Sequence, residues 1–448
     1  MISSPDQITL LRLFQKAIPT GALEQTCREN GFSFRRGVYS ATLVAWLMIW
    51  QRLGRGRSLA AAVQYLLQGG GRELATGCKR RQQGRISPAT GGYCQARQKL
   101  PTLVARQVND RILEQLRSEM QEGWRGLKRP IVIIDGSSLQ LRSSQALREV
   151  FPVGHNQHGE HHWPILKIVL FHDVFSGLAL APVWGPMYGD QPVSEQALAQ
   201  QALARLPEDA LILGDSNFGI FSFAYAVRQS KRDVLFRLTA ERAQKVLGGE
   251  LRAGTDCPLV WQASGWDRKR HTDLPAEAQL EGRLLVFEHA GRPNESLYLF
   301  TTLTLPAQEI LAIYQLRWNI ETDLRSLKRT VGLQQMESQS PDMVEKELLL
   351  AIAAYNLIRA VMCLVARRAN LAPRHFSFSF VRHVVEAALP GLDLASTEAE
   401  YQQRLERMLR FAAQGKHPKR SKPRSYPRAV WGIGARYPPQ RSKPAKEN

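Results

Sequence analysis

Ile131-Val-Ile-Ile134-Asp135-Gly136 is where the chain changes from helical to strand-like patterning. Four consecutive β-branched residues favour a strand buried on both faces, and the carboxylate that follows falls at the strand's end. Downstream, Leu166 to Asp173 reads as a second strand. Leu178 to Val183 reads as a third, after the hairpin turn Phe175-Ser-Gly177. Ser194 to Leu206 has the composition of a helix, Ala210 to Leu213 of a fourth strand, Phe221 to Gln229 of a helix and Val234 to Leu238 of a fifth strand.

Three antiparallel strands, helix, strand, helix, strand is the plan of a ribonuclease-H-like α/β domain. Residues 241–302 carry strand-like runs and little helical pattern, which predicts a β-rich insertion. Pro306 then opens a helix from Ala307 to about Gly332, and a second runs from Met343 to Ala369. Upstream, Tyr39 to Leu53, Leu59 to Leu67 and Leu100 to Leu116 read as helices around a basic Gln68 to Gly92 loop. The expected organisation is a helical DNA-binding domain (1–128), a catalytic domain (129–370) and a C-terminal helical region with a basic disordered tail (371–448).

Charge supports that division. Residues 1–130 hold 21 Lys and Arg against 8 Asp and Glu, residues 131–414 hold 29 against 31, and residues 415–448 hold 10 against 1. Two basic ends around a nearly neutral centre suit a protein that grips phosphate backbones. Five scattered cysteines without Cys-x-x-Cys spacing argue against a zinc ribbon or a disulfide framework. The first residues lack a signal-peptide layout, so a cytoplasmic, nucleoid-associated protein is expected. Leu348 to Ala366 is apolar enough to span a membrane, but Asn356 and Arg359 interrupt it and point to a buried helix, with no membrane partner.

The most specific stretch is Tyr314-Gln-Leu-Arg317-Trp318-Asn-Ile-Glu321-Thr-Asp-Leu-Arg325-Ser-Leu-Lys328. At about 100° per residue, Tyr314, Arg317, Trp318, Glu321, Arg325 and Lys328 share an arc of about 100°. Ile313, Leu316, Ile320, Leu324, Leu327 and Val331 fall on a separate stripe facing the core. A solvated face with i,i+4 charge pairs would also satisfy this pattern. The carboxylates Asp135 and Asp215, each ending a strand expected to neighbour the other, favour a site. Three carboxylates without His or Cys form an all-oxygen set suited to magnesium or manganese, and two such ions can serve phosphodiester chemistry.

The spacing Tyr-x2-Arg-x3-Glu-x6-Lys over Tyr314, Arg317, Glu321 and Lys328 resembles bacterial insertion-sequence DDE transposases, in the family numbered four. Asp135-Gly136 and Asp215-x-x-Phe-Gly219 resemble it too, while Ser216 and Asn217 depart from its commonest wording. The resemblance implies Asp135, Asp215 and Glu321 as ligands of two magnesium or manganese ions. It implies Tyr314, Arg317 and Lys328 as DNA-backbone contacts, and an aromatic at position 318, where Trp318 would hold a displaced base. Arg325 shares that DNA-facing arc. The partners implied are double-stranded DNA at element ends, target DNA, and a second copy of the chain in a dimer on DNA. Two alternatives stay open: a nuclease that cuts without joining, and an inactive, transposase-derived DNA-binding protein. The His155-Asn-Gln-His158-Gly-Glu-His161-His162 loop reads as a polar DNA contact rather than a zinc site. Asp173, before a turn, and Asp190, in a loop, are weaker rivals for the ligand roles.

Overall fold

The computed structural model describes residues 10–32, 37–54, 56–74, 78–119, 129–157, 159–288, 296–334 and 336–417. Its centre is an eight-stranded sheet: β1 (Ile131–Gln140), β2 (Ile165–Asp173), β3 (Ala179–Pro186), β4 (Leu211–Gly214), β5 (Asp233–Leu238), β6 (Asp256–Gln262), β7 (Gln279–Glu288) and β8 (Ser296–Thr301). The spatial order is β3-β2-β1-β4-β5-β8-β7-β6. β1 pairs antiparallel with β2 and parallel with β4, and β4 is parallel to β5. Helices Glu195–Ala202 and Phe221–Gln229 intervene between β3 and β4 and between β4 and β5, in the expected sequence.

The period of two along the strands sorts their side chains into two cores. Val132 and Ile134 of β1, Ile212 of β4, and Val234 and Phe236 of β5 join the larger core. Ile131, Ile133, Leu211, Leu213 and Leu235 face the smaller one, together with Ile310, Ile313, Tyr314 and Ile320. That second core seats the helical run carrying the Tyr-Arg-Glu-Lys pattern against the sheet.

Four expectations are corrected. β1 does not stop at Ile134 but continues to Gln140, because β2 pairs with it throughout, so Asp135 is mid-strand opposite Leu170. Residues 241–302 do form strands, but these extend the main sheet: β8 pairs with β5 and β7 with β8. Helices Ala240–Leu247 and Gly265–Arg270 interrupt the run, each N-capped by a Thr or Ser hydroxyl. The run from Ala307 is not one straight α-helix. It is α-helical over Ala307–Gln315, tightens to a 3-10 turn over Leu316–Trp318, resumes over Asn319–Arg325 and widens to a π-helical turn over Ser326–Thr330. Within Gln68 to Gly92, expected as loop, Lys79–Gln82 is a short helix.

Helix Pro341–Arg368 starts at the Ser340 cap with Pro341 in the first turn, where its missing N–H costs no hydrogen bond. Its apolar window is wholly buried inside the fold. The polar residues that argued against a membrane span have protein partners. Asn356 accepts from the Ala179 N–H at 2.8 Å and donates to the Ala179 carbonyl at 3.0 Å, and Arg359 reaches Asp323. The same helix packs on helices Ala41–Leu53 and Thr102–Glu119 of the N-terminal region, and the described residues up to Lys416 form one compact unit. Nearly all of the basic tail lies outside the described residues.

Candidate active site

Asp135 stands where the parallel partner of β1 ends. Ile133 pairs with Leu213, the last partner in that ladder, and two residues further along the two strands are Asp135 and Asp215. Burial raises Asp135 to a pKa of about 7, and the neighbouring charge of Asp215 pushes the same way. The Gly136 N–H, donating to Asp135 Oδ1 at 2.8 Å, and the Arg317 guanidinium oppose the rise without cancelling it. Asp215 is held by its own turn: Oδ1 accepts from the Asn217 N–H at 2.9 Å, and its carbonyl accepts from Phe218 and Gly219. Arg242 clamps that turn through the carbonyls of Ser216 and Gly219. A Cβ at Gly219 would lie 2.1 Å from the Arg237 carbonyl oxygen, so the turn closes only on glycine.

A further carboxylate, passed over in the sequence as an ordinary helix residue, enters here. Glu195 opens helix Glu195–Ala202 beside the Ser194 cap. Its carboxyl lies over Gly136, where an added Cβ would come within 2.1 Å of it. Asn217 Nδ2 donates to it, and burial raises its pKa, with Asp215 pushing the same way and Lys167 opposing. The signals available were the Ser cap preceding it and the bare glycine after Asp135.

The helical run supplies the cations. Arg317, in the 3-10 turn, lies near Asp135 and 5.0 Å from the Trp318 ring centroid. Tyr314 is buried in the smaller core, and burial pushes its hydroxyl up to about 12. Lys328, in the π-helical turn, donates to Ser137 Oγ at 3.0 Å, two residues from Asp135 on β1. Burial lowers its pKa. Glu321, Trp318 and Arg325 occupy the exposed side of the same run. Asp135 and Asp215 are thus together with Arg317 and Lys328, while Glu321 is not drawn into their hydrogen bonds. Among the described residues no three His, Cys, Asp or Glu side chains stand close enough to hold a metal ion. The carboxylates still fit a hard divalent cation: they are oxygen-only, and the raised Asp135 lacks sufficient positive charge nearby.

Asp323, two residues past Glu321, was also missed. It is fully buried. Arg374 grips both its oxygens at 3.0 and 2.9 Å, Arg359 donates to Oδ1, and His172 Nδ1 lies 3.8 Å from Oδ2. Burial would raise its pKa, but Arg374 and Arg359 outweigh that and hold it below the usual range. Burial lowers His172 to about 4. Asp173 accepts from the Ser176 N–H and hydroxyl, as a turn residue does, and Asp190 is exposed. In the His loop, His155–Asn156 pairs with Gly159–Glu160, and His161 and His162 pack edge-on against Tyr188 and Trp163. His158 lies outside the described residues.

A family model described as the transposase DDE domain matches residues 126–357, which contain all of these carboxylates, and the chain belongs to that family. The transposase InsG for insertion sequence element IS4, from Escherichia coli (strain K12), is 27% identical over 299 residues, 65% of this chain and 65% of that protein. The match therefore spans just under two thirds of the relative's length. Among solved structures, the piggyBac transposase synaptic complex with hairpin DNA aligns at TM-score 0.46 and 12% identity, covering 93% of this chain and 87% of that one. Transposases of this family generally use divalent metal ions.

Proposed function

We propose that the chain cuts and rejoins DNA at the ends of an insertion sequence, using a ribonuclease-H-like core over residues 129–370. The observation that carries this reading is the Asp135–Asp215 pair, raised to about 7 at Asp135 by burial and mutual repulsion beside a strand end. Carboxylates kept short of positive charge await a cation. Asp135, Asp215 and Glu321 would hold two magnesium or manganese ions. When bound, such ions supply an activated attacking oxygen and stabilise the leaving one. Glu321, exposed on the same helical run as Arg317, would complete the set.

The chain's own residues do the positioning. Arg317 and Lys328, on either side of the carboxylates, would take the phosphates next to the scissile bond, with Tyr314 and Arg325 extending that contact. Trp318, exposed beside Arg317, would stack a base displaced from the end. Residues 1–128 and the basic tail would bind duplex DNA at element ends and at the target, with the protein acting as a dimer on DNA in the cytoplasm. All three carboxylates are present, which favours a working enzyme over an inactive binding protein, and the complete four-residue helix favours joining over cutting alone.

The test is alanine replacement of Asp135, Asp215 and Glu321 one at a time, followed by nicking of a DNA end in magnesium. Each variant should lose cleavage while still retarding the same DNA in a gel. Full cleavage by any one of them removes that residue from the site.

A further inference from the structure

The wide turn Ser326–Thr330, which bears Lys328, ends the helical run, and it is closed partly from outside. Val331 donates to the Ser326 carbonyl at 2.9 Å, Leu333 to Leu327 at 3.3 Å and Gln334 to Lys328 at 3.1 Å, while the chain leaves through Gly332 at a φ of +83°. The carbonyls at a helix end need partners beyond the helix. Arg52, 280 residues earlier in the chain, supplies one: its Nη1 donates to the Gly332 carbonyl at 3.1 Å.

Arg52 is buried near the end of helix Ala41–Leu53 in the N-terminal region. Its Nη2 donates to Glu347 Oε2 at 3.0 Å, and Arg97, on helix Gly91–Lys99, donates to Glu347 Oε1 at 2.7 Å. A cavity of about 740 Å³ opens beside all three side chains, so packing alone does not confine the Arg52 guanidinium. Its pairing with Glu347 aims it. The planar fork serves a carbonyl and a carboxylate at once, which a lysine ammonium on a flexible stem does less well. At the front of the same turn Lys328 donates to Ser137 Oγ at 3.0 Å, on the strand of Asp135. A buried charge cluster is a weak source of stability, so its value here is in fixing position.

We propose that Arg52 is a positioning residue of the active site: by holding the Gly332 carbonyl it sets the turn that aims Lys328 at β1, and through Glu347 and Arg97 it ties that aim to the seat of the N-terminal helices. The inference rests on the reading of Asp135 and Lys328 as parts of a DNA-cutting site.

The test compares Arg52→Gln with Arg382→Gln in the full-length protein. Arg382 donates to the Leu53 carbonyl at 2.8 Å, so its replacement disturbs the same helix end without touching Gly332. Hydrogen exchange, followed without DNA or metal, should speed up over residues 326–334 in Arg52→Gln and stay unchanged there in Arg382→Gln. Nicking at saturating DNA should fall about ten- to a hundredfold in Arg52→Gln only, with affinity for the DNA end unchanged because Arg52 is buried. In a Lys328→Gln background the same Arg52 replacement should cost at most about twofold, since the turn then has no ammonium to aim. Unchanged exchange over residues 326–334, equal nicking losses in Arg52→Gln and Arg382→Gln, a loss in DNA affinity rather than in rate, or an undiminished loss in the Lys328→Gln background would each overturn the proposal. A wild-type protein that fails to nick DNA would count against the proposed function, while the exchange result would still decide whether Arg52 holds the turn.

Discussion

The carboxylates around Asp135 and the carboxylate of Asp323 are held by one sheet and one helical run, yet the fold compensates only one of them. Asp323 has two guanidinium groups and a pKa below its usual range. Asp135 has another carboxylate as neighbour, a more distant Arg317, and a pKa raised to about 7. The cations for Asp323 come from elements that only tertiary folding brings there, Arg359 on helix Pro341–Arg368 and Arg374 just beyond it. A fold able to assemble that clamp could have neutralised Asp135 as well. Leaving it uncompensated agrees with the functional site proposed there, and compensating Asp323 ties down the helix that bears it.

The widest separation should come from replacing each acid by its amide. Asp135→Asn should reduce DNA nicking by about a thousandfold or more, because the proposed metal ligand is lost, with no loss of thermal stability. Asp323→Asn should instead unfold at lower temperature. Asp323→Ala, which strands two buried guanidinium groups, should cost about 3–5 kcal/mol in denaturant melts. A stable Asp323→Ala protein would mean that the clamp does not hold the helix.

The two regions should also tilt stability with pH in opposite directions. His172 has its folded pKa lowered from 6.5 to about 4, so the unfolded chain takes up the proton first. Its contribution is complete above about 6.5 and is lost as pH falls toward 4, on the order of 2–3 kcal/mol. Asp135 has its folded pKa raised from 3.8 to about 7, so its contribution is complete below about 4 and is lost as pH rises through 7. Only part of that shift should register, about 2 kcal/mol, because the group is partly exposed. Denaturation midpoints across pH should flatten on the acid side in His172→Phe and on the neutral side in Asp135→Asn. Slopes of the same sign for both would break the comparison.

Smaller effects sharpen it. Trp318 is 56% exposed, so Trp318→Ala should leave the melting temperature alone. It should slow steps after the first nick about ten- to a hundredfold, while an equally slowed first nick would refute base stacking. Arg142→Ala breaks the ion pair with Glu337 between two exposed side chains and should change stability by at most about 1 kcal/mol. A loss as large as that of Asp323→Ala would show that charge pairing, not burial, sets the scale.

Much of this was legible from sequence because it is written locally. The β-branched run before Asp135, the short apolar run before Asp215 and the apolar stripe from Ile313 to Val331 each declare an element within a few residues. What escaped depends on distant partners. Asp323 falls at about 180° on the helical wheel, beside the core stripe, so a signal existed. Its cations are 36 and 51 residues away, and a charged helix residue is ordinarily solvated. Glu195 was overlooked for the same reason, since its place over Gly136 depends on how a helix lies across β1. The strands of residues 241–302 were visible, but their continuation of the main sheet rests on β8 finding β5 across some sixty residues of chain. The 3-10 and π-helical turns left no mark in apolar periodicity, which tolerates a residue gained or lost per turn.

The clamp on Asp323 also orders events as the chain is made. Every carboxylate proposed for catalysis has been synthesised by residue 321, before Arg359 and Arg374. A nascent or prematurely terminated chain ending before Arg359 carries the whole acidic set together with an Asp323 that has neither of its cations. The helix bearing Glu321 packs on the sheet through the smaller core but lacks its guanidinium clamp in such a copy, so incomplete copies should cut less well while retaining the basic N-terminal region.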